Sequence, residues 1–109
     1  ILVNSAGNSG ASGVNAPADS PFVFSIGAVD ENGNYASFSS QGSGIQPSQK
    51  PNVVARGSGS FVVSENDAII QNNGTSFSSP ILAGAMACLR QALPNLTNQE
   101  LMDLVEEQR

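Results

Sequence analysis

The sequence contains no histidine, no tryptophan and a single cysteine. Without histidine, this chain alone cannot complete a metal site or a His-assisted catalytic site of the common kinds. The one thiol, Cys88, has no partner for an internal disulfide. Because it falls in an apolar helical segment, we predict a buried structural cysteine instead of a reactive one.

Basic side chains are scarce as well. The sequence has four Lys and Arg residues and nine Asp and Glu residues, which gives a net charge of −5. Scattered cations in an acidic chain form no phosphate-binding patch, which argues against a nucleic-acid partner. No apolar run approaches the length of a transmembrane helix, so no membrane segment is predicted.

Glycine, serine and asparagine are abundant, and apolar residues make up 39% of the 109 residues. This composition fits one compact domain with a modest core and many tight turns. The chain opens directly in an apolar run, Ile1-Leu2-Val3. Because a native terminus rarely starts inside a buried strand, we expect a piece of a longer protein.

Hydrophobic patterning predicts an α/β fold with a mostly parallel sheet. Extended segments are expected at residues 1–4, 22–30, 35–40, 53–55, 60–63 and 68–70, and a mobile surface loop at residues 41–49. A helix apolar nearly all round is expected from about residue 75 to 93, and this should be the central buried helix. A capping box at Thr97 and Glu100 predicts a last helix, with Leu101, Leu104 and Val105 as its buried stripe.

The segment 72–80, NNGTSFSSP, joins the last extended segment to the long helix. Gly74 permits a sharp turn, and Thr75 or Ser76 could cap the free amides of the helix. A hydroxyl in this first turn also lies where amide groups and the helix dipole favour negative charge. The local pattern therefore leaves two hypotheses open for Ser76, a helix cap or a nucleophile.

Residues 74–84, GTSFSSPILAG, resemble the nucleophile motif of the subtilisin-like serine peptidases. In that family the motif is Gly-Thr-Ser, two variable residues, Ser or Thr, Pro, two more residues and Ala-Gly. Further blocks resemble the family in its own order: SAGNSG at 5–10, SIGAVD at 25–30, ASFSS at 36–40 and KPNVVA at 50–55. The resemblance implies that residues 1–109 are the C-terminal part of a subtilisin-like catalytic domain with a three-layer fold.

The resemblance also implies roles for individual residues. Ser76 would be the nucleophile, and the side-chain amide of Asn8 would donate to the oxyanion. The Asn8 amide and the Ser76 hydroxyl should therefore face a common cavity. Substrate-binding positions would be Ser5, Ala6, Gly7, Asn15, Ala16 and Pro17, with Ala16-Pro17 joined by a cis peptide bond on the wall of the specificity pocket. The family commonly has glycine at the pocket base, so Asn15 should shorten the pocket and make it polar. Family members usually have Ala-Pro-Gly where this chain has Ala55-Arg56-Gly57.

The implied activity is that of a secreted or envelope serine endopeptidase acting on peptides through an acyl-enzyme. The Asp-Ser/Thr-Gly and His-Gly-Thr motifs that carry the rest of the family's triad are absent, so we expect the chain alone to be inactive. Two alternatives are a family member that has lost its triad and serves as a binding or scaffold domain, and a purely structural α/β module. No cofactor is expected, although the family leaves a structural cation possible. Cutting before Ile1 would leave an unpaired sheet edge, so we also expect the isolated chain to self-associate.

Overall fold

The structure is a computed structural model that describes residues 1–43 and 49–108. Its elements follow the predicted α/β order. They are β1 (Leu2–Ser5), a short 3-10 turn (Gly10–Ser12), β2 (Val23–Val29), β3 (Val53–Arg56), β4 (Ser60–Val63), β5 (Ile69–Asn72), α1 (Thr75–Ala92) and α2 (Asn98–Glu106).

A three-stranded parallel sheet in the order β1-β2-β3 forms the centre of the fold. Leu2 lies opposite Val23 in the first pairing, and Ile26 lies opposite Val53 in the second. Every residue of the central strand β2 from Val23 to Ala28 is buried. This is why its apolar residues do not alternate with exposed polar ones, and the prediction of a parallel sheet is confirmed.

The main core lies between this sheet and the two helices. Phe24 and Ile26, two residues apart on β2, pack with Val53 of β3, Met86 of α1 and Leu101 of α2. The predicted capping box of α2 is present: Thr97 Oγ1 accepts from Glu100 N at 3.1 Å, and Glu100 Oε1 accepts from Thr97 N at 2.9 Å. The cap fixes the start of α2 so that Leu101 is fully buried, while Leu104 and Val105 are partly buried.

Helix α1 has nearly the predicted bounds, but its burial differs from the expectation. Within the described residues only Thr75, Ser78 and Met86 of this helix are buried, and Ile81 is half exposed. The reason is that the sheet covers one side of α1, while α2 touches it only in part. Cys88 lies on the uncovered side and is exposed, so the prediction of a buried thiol is wrong. No helix in the described part of the chain is long and apolar enough to span a bilayer.

Strands β4 and β5 form a separate antiparallel hairpin that leads into α1, with Ser60 opposite Asn72. The extended segment predicted at 35–40 is reduced to a single bridge between Val29 and Tyr35, because the chain then turns and Ser39 N donates to Ala36 O at 3.0 Å. Part of the loop predicted at 41–49, residues 44–48, lies outside the described residues.

Candidate active site

The start of α1 is tied to the end of β3 by a very close backbone approach. Gly74 N donates to Gly57 O at 2.7 Å, and the buried Ser78 hydroxyl donates to Ala55 O at 3.0 Å. A Cβ on Gly57 would lie only 2.2 Å from Ser78 Oγ. Glycine at position 57 therefore allows the first turn of α1, which carries Ser76, to sit directly on the carboxyl end of the sheet.

The helix cap differs from the expectation that Thr75 or Ser76 would supply it. The N-cap residue is Gly74, which makes no side-chain cap bond. Instead, Asn8 Oδ1 accepts from Thr75 N at 2.9 Å and from Thr75 Oγ1 at 3.0 Å. A side chain distant in sequence thus satisfies one of the free amides that every helix start presents. The hydroxyl of Ser76 is released from a capping role, and Ser76 is exposed.

These bonds also fix the orientation of the Asn8 amide. Its oxygen is held by Thr75, so its Nδ2 group is turned away from that residue, and this nitrogen makes no hydrogen bond to any described residue. Gly7 N donates to Thr75 Oγ1 at 3.1 Å, which ties the loop backbone to the same side chain. The Asn8 amide therefore lies against the first turn of α1, the turn that also contains Ser76.

The loop that carries Asn8 continues directly from β1. Ser5 ends the strand, and Ala6 N donates to Ile26 O of β2 at 2.9 Å. Gly7 adopts a φ of 110°, and a Cβ at this position would lie 2.9 Å from Ser40 Oγ. Both the backbone angle and the lack of space favour glycine here.

The remaining predicted substrate-binding residues lie in a neighbouring turn. Asn15, Ala16 and Pro17 are exposed, and the Ala16-Pro17 bond is cis, as expected from the resemblance. On either side of them, Val14 and Ala18 are buried and pack with Ala6. This small cluster holds the turn beside the Asn8 loop and leaves the three predicted side chains at the surface.

The arrangement supplies a hydroxyl and an amide donor but lacks a general base. The sequence has no histidine. Among the described residues there is also no cluster of three acidic or cysteine side chains able to hold a metal ion. A hydroxyl and an amide donor are two of the groups that nucleophilic attack with oxyanion stabilisation requires, and the third is a base.

Sequence reasoning missed a buried cation near the other end of the sheet. Lys50 is buried, and its Nζ donates to Val23 O at 2.6 Å and to Asn52 Oδ1 at 2.9 Å. Burial lowers the pKa of Lys50, and the carboxylates of Glu106 and Asp19 partly oppose that shift. A lysine just before a proline carries no local signal of burial. Only the packing of β2 and α2 around it creates this site.

The family model described as the subtilase family, peptidase S8, matches residues 1–108. The chain belongs to the subtilase family. Its motifs thus lie in the family's order on the family's fold, as the resemblance implied.

Individual subtilases are similar to this chain over most of its length. Subtilisin BL from Lederbergia lenta is 35% identical over 101 residues, which are 93% of this chain and 35% of that protein. A thermostable alkaline protease from Halalkalibacterium halodurans is 36% identical over 107 residues, 98% of this chain and 28% of that protein. The solved structure of sphericase matches this chain with a TM-score of 0.81 at 25% sequence identity. The match covers 98% of this chain and 39% of the sphericase chain. The subtilase chain described here thus spans about a third of the length of these relatives.

Proposed function

We propose that this chain carries the nucleophile and the oxyanion donor of a subtilase endopeptidase that hydrolyses peptide bonds through an acyl-enzyme on Ser76. One observation supports the proposal above the others. Asn8 is held through its oxygen by Thr75, so its Nδ2 group remains available as a donor at the first turn of α1, which also contains Ser76. A helix cap alone would not require the amide to come from another loop of the chain.

The proposed reaction begins when Ser76 Oγ attacks the carbonyl carbon of the scissile bond. Negative charge then develops on the carbonyl oxygen, and the Ser76 backbone N–H together with Asn8 Nδ2 would donate to it. The Ser76 amide belongs to the first turn of α1, where amides lack intrahelical acceptors. Both donors are preorganised, and such donors stabilise a developing oxyanion far more than mobile water does. Collapse of the intermediate breaks the C–N bond, and the leaving amine takes the proton that Ser76 Oγ lost. Water then hydrolyses the ester on Ser76, which releases the acid and returns a proton to Oγ.

The proton of Ser76 requires a base that these residues do not contain. We infer that a histidine and its orienting carboxylate come from a part of the protein outside residues 1–109, because the sequence has no histidine. The 109 residues alone are therefore expected to be inactive. Activity would belong to the full-length protein, for which we propose a secreted or cell-envelope location from the family resemblance.

Substrate contacts are proposed for two segments. Ser5, Ala6 and Gly7 would bind the peptide backbone beside the Asn8 donor, and Asn15 with Ala16-Pro17 would form the specificity pocket. The exposed Asn15 side chain adds bulk and polarity at a position where the family commonly has glycine. We therefore expect peptides and proteins with small or polar residues before the cleaved bond to be preferred over those with large aromatic residues.

Covalent labelling of the full-length protein with a fluorophosphonate tests the proposal. The wild-type protein should be labelled, Ser76→Ala should not, and Ser79→Ala should keep the label. Ser79 is the matched control because it is a serine on the same helix, three residues further on. A well-folded protein that resists the label would reject the peptidase and support the alternative of a binding or scaffold domain without a working triad.

A further inference from the structure

We propose that Ser40 is a positioning residue that holds the oxyanion donor Asn8 in place, an inference that rests on the proposed function. Ser40 is almost completely buried, with 1% of its surface exposed. Its backbone N–H donates to Gly7 O at 2.9 Å, and its Oγ accepts from Ser9 N at 3.0 Å. One serine thus bonds to the residue before Asn8 and to the residue after it.

Ser40 is itself fixed from the sheet side. The Tyr35 hydroxyl donates to Ser40 O at 2.6 Å. The adjoining residues continue the same pairing, since Gly10 N donates to Phe38 O at 2.9 Å and Gln41 N donates to Gly10 O at 2.9 Å. The segment around Ser40 therefore acts as a backbone support along the whole Asn8 loop.

Asn8 is fixed by two complementary sets of hydrogen bonds. Thr75 fixes the amide through its oxygen, whereas Ser40 fixes the backbone from which the side chain extends. An oxyanion donor works only within hydrogen-bond distance of the position that the oxyanion will occupy. Removing Ser40 Oγ leaves Ser9 N–H without its acceptor and loosens the loop at the residue next to Asn8. The loss should appear in the turnover number, because ground-state binding does not depend on the oxyanion.

Ser39 provides a matched control. It is also a completely buried serine, and its Oγ likewise accepts one backbone N–H, that of Ala28 at 2.9 Å. Ala28 belongs to the central strand and not to the Asn8 loop. Ser39→Ala and Ser40→Ala thus each remove one buried hydroxyl that accepts a backbone hydrogen bond, but only Ser40→Ala should affect the oxyanion donor.

The test is a double-mutant cycle on the full-length enzyme, with kcat and KM measured on a peptide substrate. Ser40→Ala should lower kcat about tenfold, as expected for one lost buried hydrogen bond, with little change in KM. Asn8→Leu should lower kcat by about 10²–10³, a magnitude that comes from a subtilisin itself and not from this structure. In the Asn8→Leu background, Ser40→Ala should have no further effect, and Ser39→Ala should leave kcat within about twofold of wild type.

The outcomes distinguish failure of the Ser40 inference from failure of the proposed function. If Ser40→Ala costs the same factor with and without Asn8, Ser40 does not act through Asn8 and the inference is wrong. If Asn8→Leu itself leaves kcat unchanged, the proposed oxyanion role fails first. Should Ser40→Ala not fold, Ser40→Cys retains most of the side-chain volume and replaces the hydroxyl with a weak acceptor. A Ser40→Cys enzyme that folds and turns over at the wild-type rate would overturn the inference.

Discussion

The substitution Gly57→Ala tests the contact that places the nucleophile turn on the sheet. The added Cβ would lie 2.2 Å from Ser78 Oγ, 2.6 Å from Gly74 O and 2.7 Å from the Cβ of Ala28. Real Cβ atoms essentially never approach heavy atoms this closely, and two of the three neighbours belong to the backbone or to a buried strand. The first turn of α1 must therefore move away from β3.

The expected loss of stability follows from these contacts. Overpacking of a close-packed site costs about 2 kcal/mol. The movement also breaks or weakens the bond between Gly74 N and Gly57 O, which adds about 1 kcal/mol. We expect a decrease of about 3 kcal/mol in the free energy of unfolding and, because the turn carries Ser76, a clear loss of kcat in the full-length protein.

Urea unfolding of the full-length protein provides the measurement, with Gly84→Ala as the control. Among the described residues beyond its own turn of helix, no heavy atom lies within 4 Å of a Cβ added at Gly84, which is inside α1. Alanine there should stabilise the protein by about 0.5–1 kcal/mol through helix propensity. If Gly57→Ala unfolds at the same urea concentration as wild type while Gly84→Ala shifts as expected, the close approach between Gly57 and the first turn of α1 does not exist.

Three further predictions concern other parts of the chain. Thr75→Val removes the buried hydroxyl that bonds Asn8 and Gly7, so it should lower the free energy of urea unfolding by about 2 kcal/mol and also lower kcat. Thr75→Ser keeps the hydroxyl and should keep both values near wild type, and equal behaviour of the two variants would contradict this. Burial lowers the pKa of Lys50, so just below the ordinary value of 10.5 the unfolded state binds more protons than the folded state. The free energy of unfolding of wild type, relative to that of Lys50→Met, should therefore rise with pH up to that value. A difference that does not change with pH would show that the ammonium is not desolvated. In the described residues the outer edges of β1 and β3 are unpaired and Leu2 is 70% exposed, so the 109-residue chain should self-associate in light scattering, and a monodisperse monomer at high concentration would contradict that.

The elements that the sequence predicted well are those specified by local patterns. The continuous apolar character of β2 identifies a buried parallel strand, and the pair Thr97 and Glu100 identifies the start of α2. The site residues Ser76 and Asn8 came from resemblance, since the local pattern of a first-turn serine favours a helix cap. Composition and spacing did not distinguish these two hypotheses.

Features that depend on distant contacts were not predictable in this way. The Asn8 side chain caps α1, yet the two are 67 residues apart, and no local pattern relates them. The burial of Lys50 depends on β2 and α2 closing around it. The exposure of Cys88 depends on which side of α1 the sheet covers, and an apolar sequence on all sides of a helix does not show this.

The central claim is that Ser76 forms a covalent intermediate, and trapping that intermediate tests it most directly. The full-length protein would be mixed with a slowly deacylating ester substrate, quenched in acid within the first turnover, digested and analysed by mass spectrometry. We expect the peptide containing Ser76 to gain the mass of the acyl group, and Ser76→Ala to show neither this gain nor turnover. Turnover without acylation, or acylation at another serine such as Ser78 or Ser79, would contradict it.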